Sequence, residues 1–427
     1  SDLFWEFPTN FGWYAAIPIL GNFSLAIILL VGTGIFLTFR FRFVQVRKFK
    51  YGLKVLLHSK AATKTGISAL AAFLLSTAMR VGPGNILGVT GAISIGGPGA
   101  LFWMWLSAFF GMSTAFAEST LSQIFKEKRD GQYVGGLPFY GRRLLNNAAW
   151  AGVALSVLYI VYAFLCFPAQ GFNTISAVGA IANEITGTTI ATNSTLYWIS
   201  FVVLILIAAL ISFGGIKKVT KVTDLLVPVM AVIYVLTVVV LVVCNFTRIP
   251  WFFQAVFGQA FSPDAVFGGA FGTVLSQGIK RGLMSNEAGQ GTITMPAAAA
   301  DANHPCDQGC VQAIGVFLDT IVICTLTGFV VIMGRMWTTD RAAEWFDMGK
   351  LDKFLASCGE LTGQSGAYQI VTFLVSICFG LFAFTCLLGM ISFSEIAANR
   401  IRKDKICINF VRCIGLFVAA FGILCNI

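Results

Sequence analysis

Between Thr195 and Phe213 the chain carries no charged residue, and the stretch from Leu225 to Cys244 is equally free of charge. Runs of this length match the ~20 apolar residues that cross the hydrocarbon core of a bilayer. Inside hydrocarbon every backbone N–H and C=O must find its partner within the protein, which leaves helices and closed barrels as the spanning structures. A barrel strand would show about ten residues of alternating polarity, whereas these runs are continuous, so they predict helices. Composition points the same way. Of 427 residues 57% are hydrophobic and 11% charged, with a mean hydropathy of +0.82, where a soluble domain carries about 25% charged residues. The expected fold class is an all-α polytopic membrane protein, and residues 1–427 form a single transmembrane domain.

Apolar windows predict ten spans, near 15–39, 67–95, 99–124, 148–180, 195–214, 223–245, 264–290, 308–334, 367–393 and 407–426. The formal net charge is +10, yet 20 of the 29 Lys and Arg fall in four short segments: Arg40 to Lys64, Lys126 to Arg143, Lys217 to Lys221 and Arg400 to Lys405. These segments follow spans one, three, five and nine, so all four lie on one side of the membrane. Basic residues in short loops mark the cytoplasmic side, which puts the N-terminus outside and the region 335–366 with it. With Trp337, Trp345 and Phe346 among mixed charges, that region reads as an interfacial helix or structured loop. The positive charge is topogenic, and no nucleic-acid partner is expected.

Two spans interrupt their own helices. The second carries Met79-Arg80-Val81-Gly82-Pro83-Gly84-Asn85, where two Gly and a Pro remove helix propensity and one backbone donor together. The seventh carries Phe267-Gly268-Gly269-Ala270-Phe271-Gly272-Thr273, then Leu275-Ser276-Gln277-Gly278, then Lys280 to Gly291. Unwound backbone at membrane depth must be buried in protein or line a polar cavity. Interrupted helices at matching positions of two halves point to a transporter site between inverted repeats. A five-plus-five arrangement leaves residues 1–40 as an extra N-terminal helix, with a first repeat over 66–215 and a second over 220–427. A Pro kink used only for packing is the simpler reading of the second span.

Charge inside an apolar span is costly and needs a reason. Arg80 abuts the Gly-Pro-Gly break, where it would hold a substrate carboxylate, stand as a fixed cation in place of a coupling ion, or pair with Glu118 or Glu287. Glu118 reads as a gate or packing partner. Lys280, Arg281 and Glu287, with Asn286 among them, read as a gating ionic network on the cytoplasmic side. Asp224 and Asp319 receive no role beyond capping or interhelix bonds. His304, Cys306 and Cys310 cluster on a loop but fall short of a closed four-ligand metal site.

At these segments the sequence resembles the alanine or glycine:cation symporter family, the sodium:alanine symporters. Arg281-Gly282-Leu283-Met284-Ser285-Asn286-Glu287-Ala288-Gly289-Gln290-Gly291 looks like the family's signature at that break. Val81-Gly82-Pro83-Gly84-Asn85-Ile86-Leu87-Gly88-Val89 is similar to VGTGNIAGV, and Gly96 to Trp105 is similar to GGPGAIFWMW. The resemblance implies a LeuT-type 5+5 inverted repeat preceded by one extra helix, and alternating access driven by Na⁺. It implies that a substrate carboxylate lies against Gly82, Pro83 and Gly84, that Asn85 helps to bind one ion, and that a second sits between Ala78 and Val81 and the ninth span near Phe382 and Thr385. Ser276, Gln277 and Gly278, with Thr273, would close the pocket from the seventh span, and Met390 from the ninth. The sequence departs from the family at Arg80 and Pro83, where members carry Thr. It departs again at Ala115 for Lys, and at Cys386, Met390 and Ser392 for Thr, Trp and Tyr. The family's eleventh helix, its last, is expected to be absent.

The function expected is symport of a small neutral amino acid such as alanine or glycine into the cytoplasm, across a prokaryotic inner membrane, with Na⁺ as coupling ion. Because of Arg80 the alternative is a Na⁺-independent or proton-linked carrier of a different or anionic amino acid. A channel would show charged rings or a carbonyl filter, and a membrane enzyme a nucleophile–base pair or metal ligands; a carrier-derived receptor is a further class. No enzymatic activity, no cofactor and no obligate protein partner are expected, the partners being the amino acid and the lipid bilayer.

Overall fold

The computed structural model describes residues 5–17, 21, 23–59, 63, 65–129, 131–187, 194–261, 270–363 and 366–425. Among the described residues seven helices are long and apolar enough to cross a membrane, eight if the bent pair of the second span counts as one, and two further helices, Leu25–Arg40 and Ala270–Asn286, lie where the apolar runs predict spans. They are Leu25–Arg40; Ala69–Arg80 continued as Gly84–Gly96; Ala100–Ile124; Ala149–Thr186; Thr195–Ser212; Gly215–Cys244; Ala270–Asn286 continued as Thr294–Ala299; Pro305–Val316 running through Phe317–Cys324 into Thr325–Gly334; Gly366–Ile401; and Lys405–Leu424. Several begin at a side chain that satisfies an orphan N–H of the first turn. Ser24 accepts from Ile27 N, Ser68 from Ala71 N and Asp404 from Ile406 N. His304 and Asp307 form a reciprocal cap on the eighth span.

The edges differ from expectation in instructive ways. The first span starts at Leu25, because Gly12–Ala15 forms a separate short helix. The sixth starts at Gly215, so Lys217, Lys218 and Lys221 ride on its first turns. In the 335–366 region Trp345 is fully buried and donates its indole N–H to Lys353 O at 3.1 Å, so the segment is packed onto the bundle by helices Ala342–Asp347 and Lys350–Thr362.

The fourth span packs along the ninth and tenth, the third packs on the seventh and eighth, and the second runs between these groups, touching the sixth, eighth and ninth. The fifth span keeps Leu206 and Leu210 57% and 68% exposed, as a lipid-facing helix requires. The basic segments gather on one face. Arg129 donates to Asn399, Arg400 lies over the Phe139 ring, and Tyr133 N donates to Thr65 O at 2.8 Å. On the same face Ile67 pairs with the end of the seventh span, donating to Ala299 O and accepting from Asp301 N at 3.0 and 2.9 Å.

The seventh span corrects one expectation. Ala270–Asn286 is a continuous helix through Thr273, Ser276, Gln277 and Gly278, and the chain unwinds only beyond it. The first part of the expected interruption, Phe267 to Gly269, lies outside the described residues. Its later glycines serve contact. A Cβ on Gly278 would fall 2.4 Å from Ala100 O and 2.6 Å from Trp103 Cβ, and one on Gly282 would fall 2.1 Å from Ser107 Oγ. Small residues of this kind let membrane helices approach backbone to backbone. Gly278→Leu is therefore expected to destabilise the bundle by about 1–3 kcal/mol, while Gly32→Leu, with nothing within 4 Å of its Cβ position, leaves it unchanged. Loss of the monodisperse elution peak on heating, measured on detergent-solubilised protein, separates the two.

Candidate substrate and cation site

The second span bends by 49° between Ala69–Arg80 and Gly84–Gly96. Beyond Pro83 the chain enters a wide π-helical turn, Gly84–Gly88. The eighth span carries another over Phe317–Cys324. Single π turns inside helices concentrate at functional sites, and these two face each other through one side chain, Asn85. Its Oδ1 accepts from Gly82 N at 2.8 Å. Its Nδ2 donates to Asp319 Oδ1 at 2.6 Å and to Ser285 Oγ at 3.2 Å. Asp319 Oδ2 also accepts from Ser285 and Thr320 hydroxyls, both at 2.8 Å. Asn85 and Asp319 have no exposed surface and Ser285 has 4%. A carboxylate and two hydroxyls, bridged by the Asn85 amide N–H, thus converge at the middle of the bundle, and the carboxylate and hydroxyl oxygens are ligands of the kind hard cations take.

The seventh span unwinds over Glu287 to Ile293, where Glu287, Gly289 and Gly291 adopt φ of 55°, 82° and 79°. The two glycines hold that left-handed conformation without strain; Glu287 does so at a cost that recurs at functional sites. The freed backbone is satisfied from the third span, Glu118 accepting from Gly289 N at 3.0 Å and Gly291 N at 3.2 Å. Glu287 accepts from Thr292 Oγ1 at 2.8 Å, and Asn286 Oδ1 from Ala288 N at 3.0 Å.

Arg80 closes the arrangement. It is 2% exposed, its Nε donates to Asn286 O at 3.2 Å, and its two terminal nitrogens have no hydrogen-bond partner. The guanidinium faces Asp319, Glu287 and Glu118 within electrostatic range. One cation against three carboxylates leaves a formal charge of −2 at the breaks. Arg80 fits there because the eighth span has no side chain at Gly315: a Cβ would fall 1.8 Å from Nη1.

The remaining residues singled out in the sequence separate into groups. Gly82 and Pro83 are buried, whereas Gly84 is exposed with open space beside its Cα. The ninth span reaches the break at Cys386, whose Cβ and Sγ lie 3.8 Å from a Cβ placed on Gly82. Met390 packs with Met79 and Cys386. Ala78, Val81 and Phe382 share one packed cluster, and the Thr385 hydroxyl is engaged with Leu381 O and Phe382 O at 2.9 and 3.2 Å. Thr273 is exposed and accepts from Ser276 Oγ at 3.4 Å, while Gln277 lies against Gly96. Apart from Gly82, whose N–H Asn85 takes, these residues do not join the network at the breaks. Lys280 is a correction. It pairs with Glu6 at 2.9 Å, on the face of the N-terminal segment opposite the basic loops, because the helix holding Lys280 and Arg281 ends at Asn286, ahead of the break. Asp319 is the residue that sequence reasoning passed over. A carboxylate alone in an apolar run is a functional signal in itself.

Two spans unwound toward each other around buried carboxylates, in a helical bundle, are the architecture of a LeuT-type secondary transporter. The chain belongs to the sodium:alanine symporter family, whose sequence model matches residues 14–427. The amino-acid carrier protein AlsT of Bacillus subtilis is 35% identical over 396 residues, covering 93% of this chain and 80% of its own. The sodium/alanine symporter AgcS of Methanococcus maripaludis is 38% identical over 315 residues, 73% of this chain and 68% of its own. YrbD of Bacillus subtilis is 39% identical over 316 residues, 74% of this chain but 63% of its own length. Among solved structures, MhsT in complex with L-phenylalanine superposes with a TM-score of 0.63 at 16% identity, over 85% of this chain and 80% of that one, a likeness of fold.

Two outcomes follow from this geometry. Glu118→Ala strands two backbone N–H groups at membrane depth, each worth about 1–3 kcal/mol, and is expected to lower thermal stability in detergent markedly more than Glu118→Gln, which keeps one acceptor. Gly315→Ala is expected to be harmful beside Arg80 and mild beside Arg80→Thr. A double-mutant cycle on the same melting assay should return a coupling of about 0.5–3 kcal/mol.

Proposed function

We propose that the protein is a symporter that couples downhill Na⁺ entry to uptake of a small neutral amino acid, alanine or glycine, into the cytoplasm of a prokaryotic cell. The observation that carries this reading is Asp319, a fully buried carboxylate held by Asn85, Ser285 and Thr320 where the second, seventh and eighth spans meet. A cation there would exchange those hydrogen bonds for direct oxygen ligands and offset the negative excess at the breaks. The name borne by the Methanococcus relative supports the pairing of sodium with alanine.

In this reading the substrate carboxylate lies against the exposed backbone of Gly84, and Cys386 bounds the pocket beside Gly82. A second ion position lies between Ala78 and Val81 and the ninth-span residues Phe382 and Thr385. The basic face is cytoplasmic and the N-terminus outside, by the bias of Lys and Arg in short loops. The broken spans open each repeat, so the division we propose falls after the sixth span, at Cys244, and not between 215 and 220. Ligands move the carrier between outward- and inward-facing states only through their differential affinity for the two. A Na⁺-independent, Arg80-driven carrier is not favoured, since Arg80 already donates to Asn286 O and its charge is outnumbered by carboxylates.

Uptake of radiolabelled alanine into proteoliposomes tests this directly. An inward Na⁺ gradient should be required, and Asp319→Asn should raise the half-saturating Na⁺ concentration about tenfold or more, as loss of a charge-assisted contact of about 1.5–3 kcal/mol implies. Uptake indifferent to Na⁺ in the unmodified protein would overturn the proposal.

A further inference from the structure

A cavity of about 750 Å³ opens on the basic face, between the end of the first span, the helix Phe49–Leu57 and the start of the eighth span. Arg40, Arg42, Arg47, Lys48, Tyr51 and Asp307 line it. All four cations are exposed, and among the described residues none of them forms an ion pair. The one carboxylate is already engaged: Asp307 accepts from Tyr51 Oη at 2.7 Å and from His304 N at 3.1 Å. That bond, with burial and the nearby negative charge, pushes the Tyr51 phenol up to about 12 and keeps it a neutral donor.

The cations are held there by the backbone. Arg42 and Phe43 take φ of 52° and 55° in succession, a turn that side chains rarely adopt and that folds the segment back along the membrane face. The same segment presents apolar side chains outward, with Phe39, Val46 and Leu57 exposed at 64%, 62% and 72%. A soluble anion would match the cations and leave these exposed apolar side chains in water. A ligand with an anionic head and acyl chains matches both.

We infer that this cavity is a headgroup site for an anionic phospholipid of the leaflet on the basic face. The phosphodiester sits among Arg42, Arg47 and Lys48 while the acyl chains cover Phe39, Val46 and Leu57. Each basic residue near such a surface attracts anionic lipid by roughly a fivefold gain in affinity. Through Tyr51 and Asp307 the bound lipid holds the helix Phe49–Leu57 to the start of the eighth span, which carries Asp319 further along.

Native mass spectrometry of the full chain, released from detergent with added phosphatidylglycerol or phosphatidylcholine, reads the occupancy. The protein should retain phosphatidylglycerol in preference to phosphatidylcholine. The variant Arg42→Gln/Arg47→Gln/Lys48→Gln should lose that retention on the order of a hundredfold, Arg42→Lys/Arg47→Lys/Lys48→Arg should keep it, and Lys217→Gln/Lys221→Gln on the same face should leave it intact. Equal retention of the two lipids, or retention undiminished in the Gln variant, overturns the site. Complete displacement of the lipid by millimolar glycerol phosphate would also overturn it, by identifying a site for soluble phosphate.

Discussion

The Asn85 side chain sets the architecture around it. The Gly-Pro-Gly break of the second span frees backbone groups in a medium that offers them no water, and each left unpaired would cost more than a native hydrogen bond returns. Asn85 meets that demand from inside the break, its carbonyl taking Gly82 N and its amide going out to Asp319 and Ser285. One residue thereby ties three spans together at one depth. Asp319 needs this bond in turn, since a buried carboxylate without donors or a cation is costly. The two wide turns at Gly84–Gly88 and Phe317–Cys324 bring these side chains to bear on each other.

The seventh span solves the same problem differently, and the difference bears on motion. Its freed N–H groups are satisfied by Glu118, which belongs to the third span. The break is therefore anchored to a helix that packs along both the seventh and the eighth, while the second span's break is anchored to the seventh and eighth and touches the ninth at Cys386. In the proposed reading a cation taken up by Asp319 and Ser285 would compete for the bonds that hold the two breaks together. Ligand binding and the relative placement of the spans then draw on one set of groups, which is the differential interaction that alternating access requires.

Much of this was legible in the sequence because hydrocarbon restricts the alternatives so strongly. The placement of the long apolar helices, the common face of the four basic segments and the break at Gly82 to Asn85 follow from apolar run length, loop charge and Gly-Pro punctuation. The seventh span was less legible. Gly278 reads in sequence like Gly289 or Gly291, yet Gly278 lies in a continuous helix against Ala100, whereas Gly289 and Gly291 take positive φ in the break. Glycine signals small size and backbone freedom with the same letter, and only the neighbouring helix decides which is used. Lys280 was misplaced for the same reason, since its face depends on where the break falls. Asp319 was passed over because a lone carboxylate in an apolar run is equally well accounted for by an interhelix bond; its particular meaning comes from Asn85 and Ser285, 234 and 34 residues away.

Arg80 is the departure from the family pattern that the structure makes intelligible. A guanidinium at this depth needs room and negative charge. Room comes from Gly315, across the contact between the second and eighth spans, and charge from Asp319, Glu287 and Glu118. With three carboxylates and no fixed cation the formal sum at the breaks would be −3, a charge costly to hold out of water. With Arg80 the formal sum falls to −2, so less charge has to be held out of water. The side chain is turned to Asn286 O, so it adds a hydrogen-bonded tether between the second span and the seventh-span break. Thr in its place would remove both the tether and the charge, and the residues that face Arg80 would then have to balance their charge with ions alone.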